Sequence, residues 1–363
     1  MPNLFTPYQL KDVTLRNRIV VSPMCQYVAD DGLINDWHRS HLAGLARGGA
    51  GLVIAEATAV SPEGRITPGC TGIWSDAQAD AWKDAVRLIK DGGAVPGIQI
   101  AHAGRKASAN RPWEGDDHMA DDDPRGWDTI APSAVPHGAN LPKVPRAMTI
   151  ADIKRVQADF VAAARRARDA GFEWLELHLA HGYLGQSFFS TWSNKRDDEY
   201  GGDFDGRARF LLETIAAVRE VWPDNLPLTA RFGVTEFDGS DDLDDGIRMV
   251  GLMKDAGLDL IDVSIGFTTP TAEIPWGPAL LAPAAERVRR EVDIPTTTSW
   301  FISEPQQADA LIADGKADLV TLGRPLLANP HWPYRAAKEL GVDKPAFATL
   351  PAPYAHWLER YRS

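Results

Sequence analysis

One pattern occurs eight times along this chain: a short run of aliphatic and β-branched residues, a polar turn, then a helix with legible ends. The runs are IVVSPM (19–24), GLVIAEAT (51–58), VPGIQIAH (95–102), WLELHLAH (174–181), LPLTARFG (226–233), LDLIDVSIG (258–266), IPTTTSW (294–300) and ADLVTLGR (317–324). Ser75 with Gln78, and Thr149 with Asp152, have the spacing of capping boxes, and Gly92, Gly171 and Gly257 stand where C′ residues close helices. In the helix opened by Thr149, residues Ile153, Val156, Phe160, Ala163 and Ala167 recur at the helical period, so one stripe faces a sheet. Eight alternating units predict an α/β chain folded as a (β/α)8 TIM barrel. A doubly wound sheet fits less well, because the G-x-G-x-x-G turn expected after an early strand of a dinucleotide-binding fold is absent.

Barrel enzymes draw their sites from the C-terminal ends of the strands. Here those ends read Pro23-Met24-Cys25, Glu56-Ala57, Gln99 and His102, His178 and His181, Arg231, Ser264, Ser299-Trp300 and Gly323-Arg324. Nearly all are polar or reactive. The connection from Ala103 to Met148 is rich in Trp, Pro, Gly and Asp and is much longer than an ordinary loop, so 103–148 is expected to be a lid. Residues 1–18 precede the first strand and are expected to cap the opposite end as a hairpin, with 345–363 as a C-terminal tail. The whole of 1–363 is then one barrel domain.

Composition narrows the chemistry. A net charge of -12 gives no footing for nucleic acid or an anionic membrane surface, which both need clustered Lys and Arg. The start MPNLFTPYQLK lacks the basic and apolar regions of a secretion signal, and no apolar run is long enough to span a bilayer, so a cytoplasmic location is expected. The two cysteines, Cys25 and Cys70, are too few for a disulfide framework and lack zinc or iron–sulfur spacing. Small-molecule chemistry is favoured.

The segment HLAHGY (178–183) sits where a strand stops. His178 and His181 could be metal ligands in a hydrolase or aldolase, but a catalytic zinc needs a third protein ligand and the first strand offers no H-x-H. Either could also be an ordinary core histidine. The third reading has both imidazoles donating to one substrate oxygen as negative charge develops on it, with Tyr183, just past Gly182, as a weak acid nearby. Charge collecting on an oxygen implies an electron pair delivered elsewhere in a conjugated system. No side chain delivers hydride, so a cofactor must.

SPMCQY (22–27), HAGR (102–105), HLAHGY (178–183), SNKRDDEYGG (193–202) and LGRPLLANPHWPY (322–334), in that order across the chain, resemble the Old Yellow Enzyme family of ene-reductases that depend on flavin mononucleotide (FMN). The cysteine after Pro-Met resembles the bacterial subclass of YqjM-like enzymes and xenobiotic reductase A. The resemblance implies FMN as cofactor and NADPH, more than NADH, as co-substrate. It also implies α,β-unsaturated carbonyl substrates, with nitro compounds as further acceptors. Pro23, Met24 and Ala57 would make backbone or packing contacts to the flavin ring, Gln99 its pyrimidine edge, Arg231 its N1 and O2 edge, and Gly323 with Arg324 its phosphate. Cys25 would lie beside the flavin and tune it as a thiol, and could otherwise be a small buried hydrophobe. Tyr27 and Trp300 would contact substrate, and His178, His181 and Tyr183 take the roles already described.

Two positions depart from that pattern. After Trp300 the family commonly has glycine in its phosphate-binding segment, yet here the run is WFIS, and Gly206 stands where asparagine is common. In PAPYAHWLERYRS, Trp357 and Tyr361 lie four apart, as on a packing face. The resemblance offers another role, in which Trp357 or Arg360 crosses into a neighbouring subunit's site in a homodimer or homotetramer. A related iron–sulfur reductase would require a cysteine cluster after the barrel, which the chain lacks.

Overall fold

A computed structural model describes residues 1–237 and 243–361, so the last two residues of the expected tail lie outside the described residues. Eight parallel strands close into a barrel: β1 (Ile19–Val21), β2 (Leu52–Ala59), β3 (Val95–Ala101), β4 (Trp174–Leu179), β5 (Leu228–Thr235), β6 (Leu260–Ile265), β7 (Thr296–Thr298) and β8 (Leu319–Leu322). Each pairs with its neighbours in sequence, and β8 pairs with β1 to complete the ring. Each expected run holds one strand. Helices Asp36–Arg47, Asp76–Asp91, Ile150–Ala170, Phe204–Arg219, Leu243–Asp255, Ala282–Val292, Pro305–Ala313 and Trp332–Glu339 follow the strands in turn. The chain is a (β/α)8 TIM barrel.

Local chemistry explains the alternation. Ser75 and Thr149 each accept from the backbone N–H three residues on, while Gln78 and Asp152 reach back, so both capping boxes form. Ile153, Val156, Phe160, Ala163 and Ala167 are all buried against the sheet. Gly171 ends that helix at φ 93°, a left-handed turn that aims the chain into β4. Gly92 differs from expectation: it stays right-handed (φ -74°), and Gly93 takes the left-handed position at φ 81°.

The floor of the barrel is apolar. Tyr8–Leu10 and Val13–Leu15 form an antiparallel hairpin, and Val13 and Leu15 pack with Val20, Leu52, Ile54, Trp174, Leu260 and Leu319 in one buried cluster. These are the lower inward-facing residues of the strands, so the hairpin closes the end away from the histidines. The 103–148 connection is tied down by Arg105, which is fully buried and donates to the carbonyls of Val135, Pro136 and Thr268. A short parallel pair, Ile130–Ala131 with Arg146–Ala147, organises its far end.

The tail differs from the packing expectation. Its helix spans Ala352–Leu358, so Tyr361 lies beyond it, and Trp357 is 72% exposed. The helix is anchored through Ala355 against Ala346 and Leu350, and Tyr334 Oη donates to the Leu358 carbonyl at 3.0 Å. Among the described residues no helix is long and apolar enough to cross a membrane.

Candidate active site

Along β4 alternate residues face the barrel interior, so Trp174, Glu176 and His178 rise from floor to mouth. Beyond the strand, His181 and Gly182 are both left-handed, at φ 62° and 68°. A Cβ at residue 182 would lie 2.4 Å from the Phe267 carbonyl oxygen, so only glycine fits there. This tight turn folds the chain back on itself. The His178 ring centroid lies 4.8 Å from that of His181 and 5.0 Å from that of Tyr183.

Both imidazoles are held neutral. Burial, with Arg231 and Lys106 adding positive potential, pushes His178 and His181 well below the usual histidine range. His178 Nδ1 accepts the Ala180 N–H at 3.4 Å, which leaves the proton of the neutral ring on Nε2. His181 Nε2 lies 2.8 Å from Ser264 Oγ. Burial also raises the Tyr183 hydroxyl well above the usual phenol range, so it stays protonated. Lys106 lies 5.2 Å from the Tyr183 ring centroid, and its ammonium donates to the His181 carbonyl at 3.0 Å.

Cys25 and Tyr27 lie on the loop after β1. The Gln26 N–H donates to Glu56 Oε2 at 3.0 Å, fixing that loop to β2. Burial, then the neighbouring Glu56, pushes the Cys25 thiol well above its usual range, so it is a thiol and a poor nucleophile. Tyr27 adopts φ 55° and meets Trp113 of the long connection at 6.0 Å. Ala57 and Tyr183 share the wall of a small void with Cys70. Gln99 is buried, and its Nε2 donates to Glu176 Oε1 at 2.8 Å.

A cleft of about 1090 Å³ opens beside the histidines, lined by Met24, His181, Arg231, Trp300, Gly323 and Arg324 among others. Arg231 is buried, and it donates to Ser22 Oγ at 3.2 Å and Ser299 Oγ at 3.1 Å. Arg324 is exposed and has no recorded ion pair among the described residues, so its guanidinium is available to an anion. Trp300 and Phe301 are both left-handed, at φ 73° and 53°. Bulky side chains there are strained, which is the physical reason a glycine suits this segment. Even so, WFIS lines the same cleft as Gly323 and Arg324.

The structure thus brings His178, His181 and Tyr183 into contact, and joins His181 to the cleft that Met24, Arg231, Trp300, Gly323 and Arg324 line. Trp357 does not reach it within the chain. Four participants were missed in the sequence. Trp276 packs on Trp300 at 5.3 Å in an aromatic cluster with Phe267 and Phe301, and Lys106 touches the tyrosine. Glu176 and Asp262 lie beneath Arg231. The last two were findable, since each stands two residues before a mouth residue on the same strand face. Among the described residues no three His, Cys, Asp or Glu side chains are grouped to hold a metal ion.

Residues 3–343 match the NADH:flavin oxidoreductase / NADH oxidase family, and the chain belongs to that family. It is similar to the NADPH dehydrogenase of Geobacillus thermodenitrificans, with 46% identity over 343 residues, 93% of this chain and 95% of the relative. The NADPH dehydrogenase of Halalkalibacterium halodurans is 42% identical over 342 residues, 93% and 95% of the two chains. Among solved structures, morphinone reductase superposes with a TM-score of 0.77 at 29% identity, covering 94% of this chain and 90% of that one. An old yellow enzyme homologue from Zymomonas mobilis gives a TM-score of 0.77 at 27% identity, covering 98% and 99%. The family named by the resemblance is therefore the family found, and the protein is a flavin oxidoreductase. The metal-dependent hydrolase or aldolase reading is not favoured.

Proposed function

We propose that the chain is an FMN-dependent NADPH dehydrogenase that reduces activated alkenes, of the YqjM-like and xenobiotic reductase A subclass. The observation that carries this reading is the convergence of two neutral imidazoles and one protonated phenol beside a cleft with a guanidinium in its wall. The cleft's residues fit FMN: Arg231 offers a fixed cation to an electron-rich ring edge, and Arg324 with Gly323 offers an unpaired guanidinium and an uncrowded backbone to a phosphate. Pro23, Met24, Cys25, Ala57 and Gln99 would border the ring. When bound, FMN supplies the relay that takes hydride from NADPH and gives it to the alkene.

His178 and His181 each offer one N–H to the substrate's carbonyl or nitro oxygen. Neutral donors suit this role, because they stabilise charge that develops on the oxygen without holding a proton that it could take. Tyr183 delivers the proton to the α-carbon as the β-carbon gains hydride, so two hydrogens add across the double bond. Tyr27 and Trp300 shape the pocket, the 103–148 connection shields it from water, and Trp357 approaches a neighbouring subunit's site in a homodimer or homotetramer. A cytoplasmic setting with ready NADPH suits this chemistry.

The test is an anaerobic absorbance spectrum of the purified protein with NADPH and then 2-cyclohexenone. A yellow spectrum that bleaches with NADPH and returns with the enone is expected. A protein that acquires no flavin spectrum after incubation with FMN and desalting would overturn the reading.

A further inference from the structure

Beneath Arg231 the barrel holds more acidic than basic side chains. Glu176 on β4 and Asp262 on β6 are each 1% exposed. Arg231 lies on β5 between them, with its Nε 3.3 Å from Asp262 Oδ2. Two ionised carboxylates against one guanidinium would leave an uncompensated charge in a space where such a charge costs several kcal/mol. The available donors do not cover it. Glu176 accepts one bond from Gln99, neither oxygen of Asp262 accepts a hydrogen bond, and both terminal nitrogens of Arg231 donate to serines instead.

We propose that Glu176 and Asp262 hold one proton between them, on Glu176, so that the layer under the cleft is neutral and Arg231 keeps its positive charge directed at the ligand above. The neighbours decide which acid carries it. Burial pushes Glu176 up to about 8, and repulsion by Asp262 adds to this against the opposing pull of Arg231 and the Gln99 bond. Asp262 rises less, to about 6, because the guanidinium is its contact. The other groups facing the pair are Gln99 on β3, which is uncharged, and His178 one step up β4, which is neutral.

The consequence rests on the reading that Arg231 faces the flavin. Loss of the shared proton above roughly pH 8 places a second negative charge beneath the ring, so reduction there becomes harder and draws a proton back onto the pair. Glu176 is thus a positioning residue that acts through Arg231.

The test compares the purified full chain with Glu176→Gln and Asp262→Asn. In infrared difference spectra at pH 7, the wild type should show one carboxylic-acid carbonyl band that Glu176→Gln lacks, and it should titrate away in mild alkali. Glu56, also buried, contributes a band common to all three proteins. Asp262→Asn should make the Glu176 band titrate away at lower pH than in the wild type, because the repulsion that adds to burial is gone. No difference band, or a Glu176 band that titrates at the same pH in Asp262→Asn as in the wild type, overturns the sharing. The midpoint potential of the bound flavin should fall up to about twice as steeply with pH in mild alkali as near neutrality, since one more proton accompanies the two electrons; Glu176→Gln should lose that steepening and Asp262→Asn should move it to lower pH. A potential curve identical in all three proteins overturns the tuning role. The infrared readout does not require flavin, so failure of the flavin assignment, visible as a colourless protein, stays distinct from failure of the shared proton.

Discussion

The two ends of the barrel are built from the same strands and yet obey opposite rules. At the floor, Trp174 is buried among aliphatic side chains under the hairpin, and its one polar atom, Nε1, is satisfied by Thr229 Oγ1 at 3.1 Å. Four residues further along β4, His178 is also buried, but with its N–H unspent. Between them Glu176 is buried at an electrostatic cost. The floor thus contributes stability and the mouth, on the proposed function, contributes chemistry, and the alternation of β4 compresses the change into three inward-facing side chains.

Substitutions at the two ends should therefore separate. Trp174→Ala should cost about 3–5 kcal/mol of stability through the cavity it leaves. It should leave kcat per folded molecule nearly unchanged, as urea denaturation and an active-site flavin titration would show; a large loss of kcat would break the separation. His178→Ala should do the reverse, with stability little changed and alkene reduction slowed about 10²–10³-fold. Reduction by NADPH should persist, which stopped-flow absorbance of each half-reaction would resolve.

The intermediate layer gives a smaller and pH-dependent effect. A group whose folded pKa is raised stabilises the fold below its unfolded value and loses that contribution as pH rises through its folded value. Glu176, raised from 4.5 to about 8, therefore weakens the fold as pH climbs across that window. Glu176→Gln removes this dependence. Wild type should fall behind the variant by up to about 1.4 kcal/mol per pH unit between pH 5 and 8, measured as the difference in denaturation midpoints at matched slope. Smallest of all, Trp357→Ala should stay within about 0.5 kcal/mol of wild type in stability. It should still raise KM for the alkene if, as proposed, the exposed indole completes a neighbouring subunit's pocket; an unchanged KM would end that assignment.

The barrel was legible in sequence because each strand is a compact apolar run and each helix carries its own start and stop signals. The histidines were legible for the same reason, since they close the β4 run, and Arg231 was legible as the one charge inside its apolar run, although β5 continues past it to Thr235. What escaped depends on the third dimension. Trp276 lies in a loop, and nothing local says it meets Trp300. Glu176 and Asp262 carried a local signal, each two residues before a mouth residue on the same strand face, but only the barrel shows that they flank Arg231 on neighbouring strands. Gly92 and Gly93 are adjacent, and only backbone geometry shows which of them turns. The strain at Trp300 and Phe301 was visible only as a missing glycine. The tail misled because spacing of four implies a shared face only while the helix lasts, and this helix stops at Leu358.

The hairpin across the floor makes the barrel a cul-de-sac. On the proposed function, nicotinamide and alkene meet in the same cleft at the barrel mouth, so each visitor has to leave before the next can enter. The enzyme therefore has a traffic rule: crowding by either substrate should obstruct the other. Double-reciprocal plots should be parallel at low concentrations and turn upward when alkene or nicotinamide is in excess.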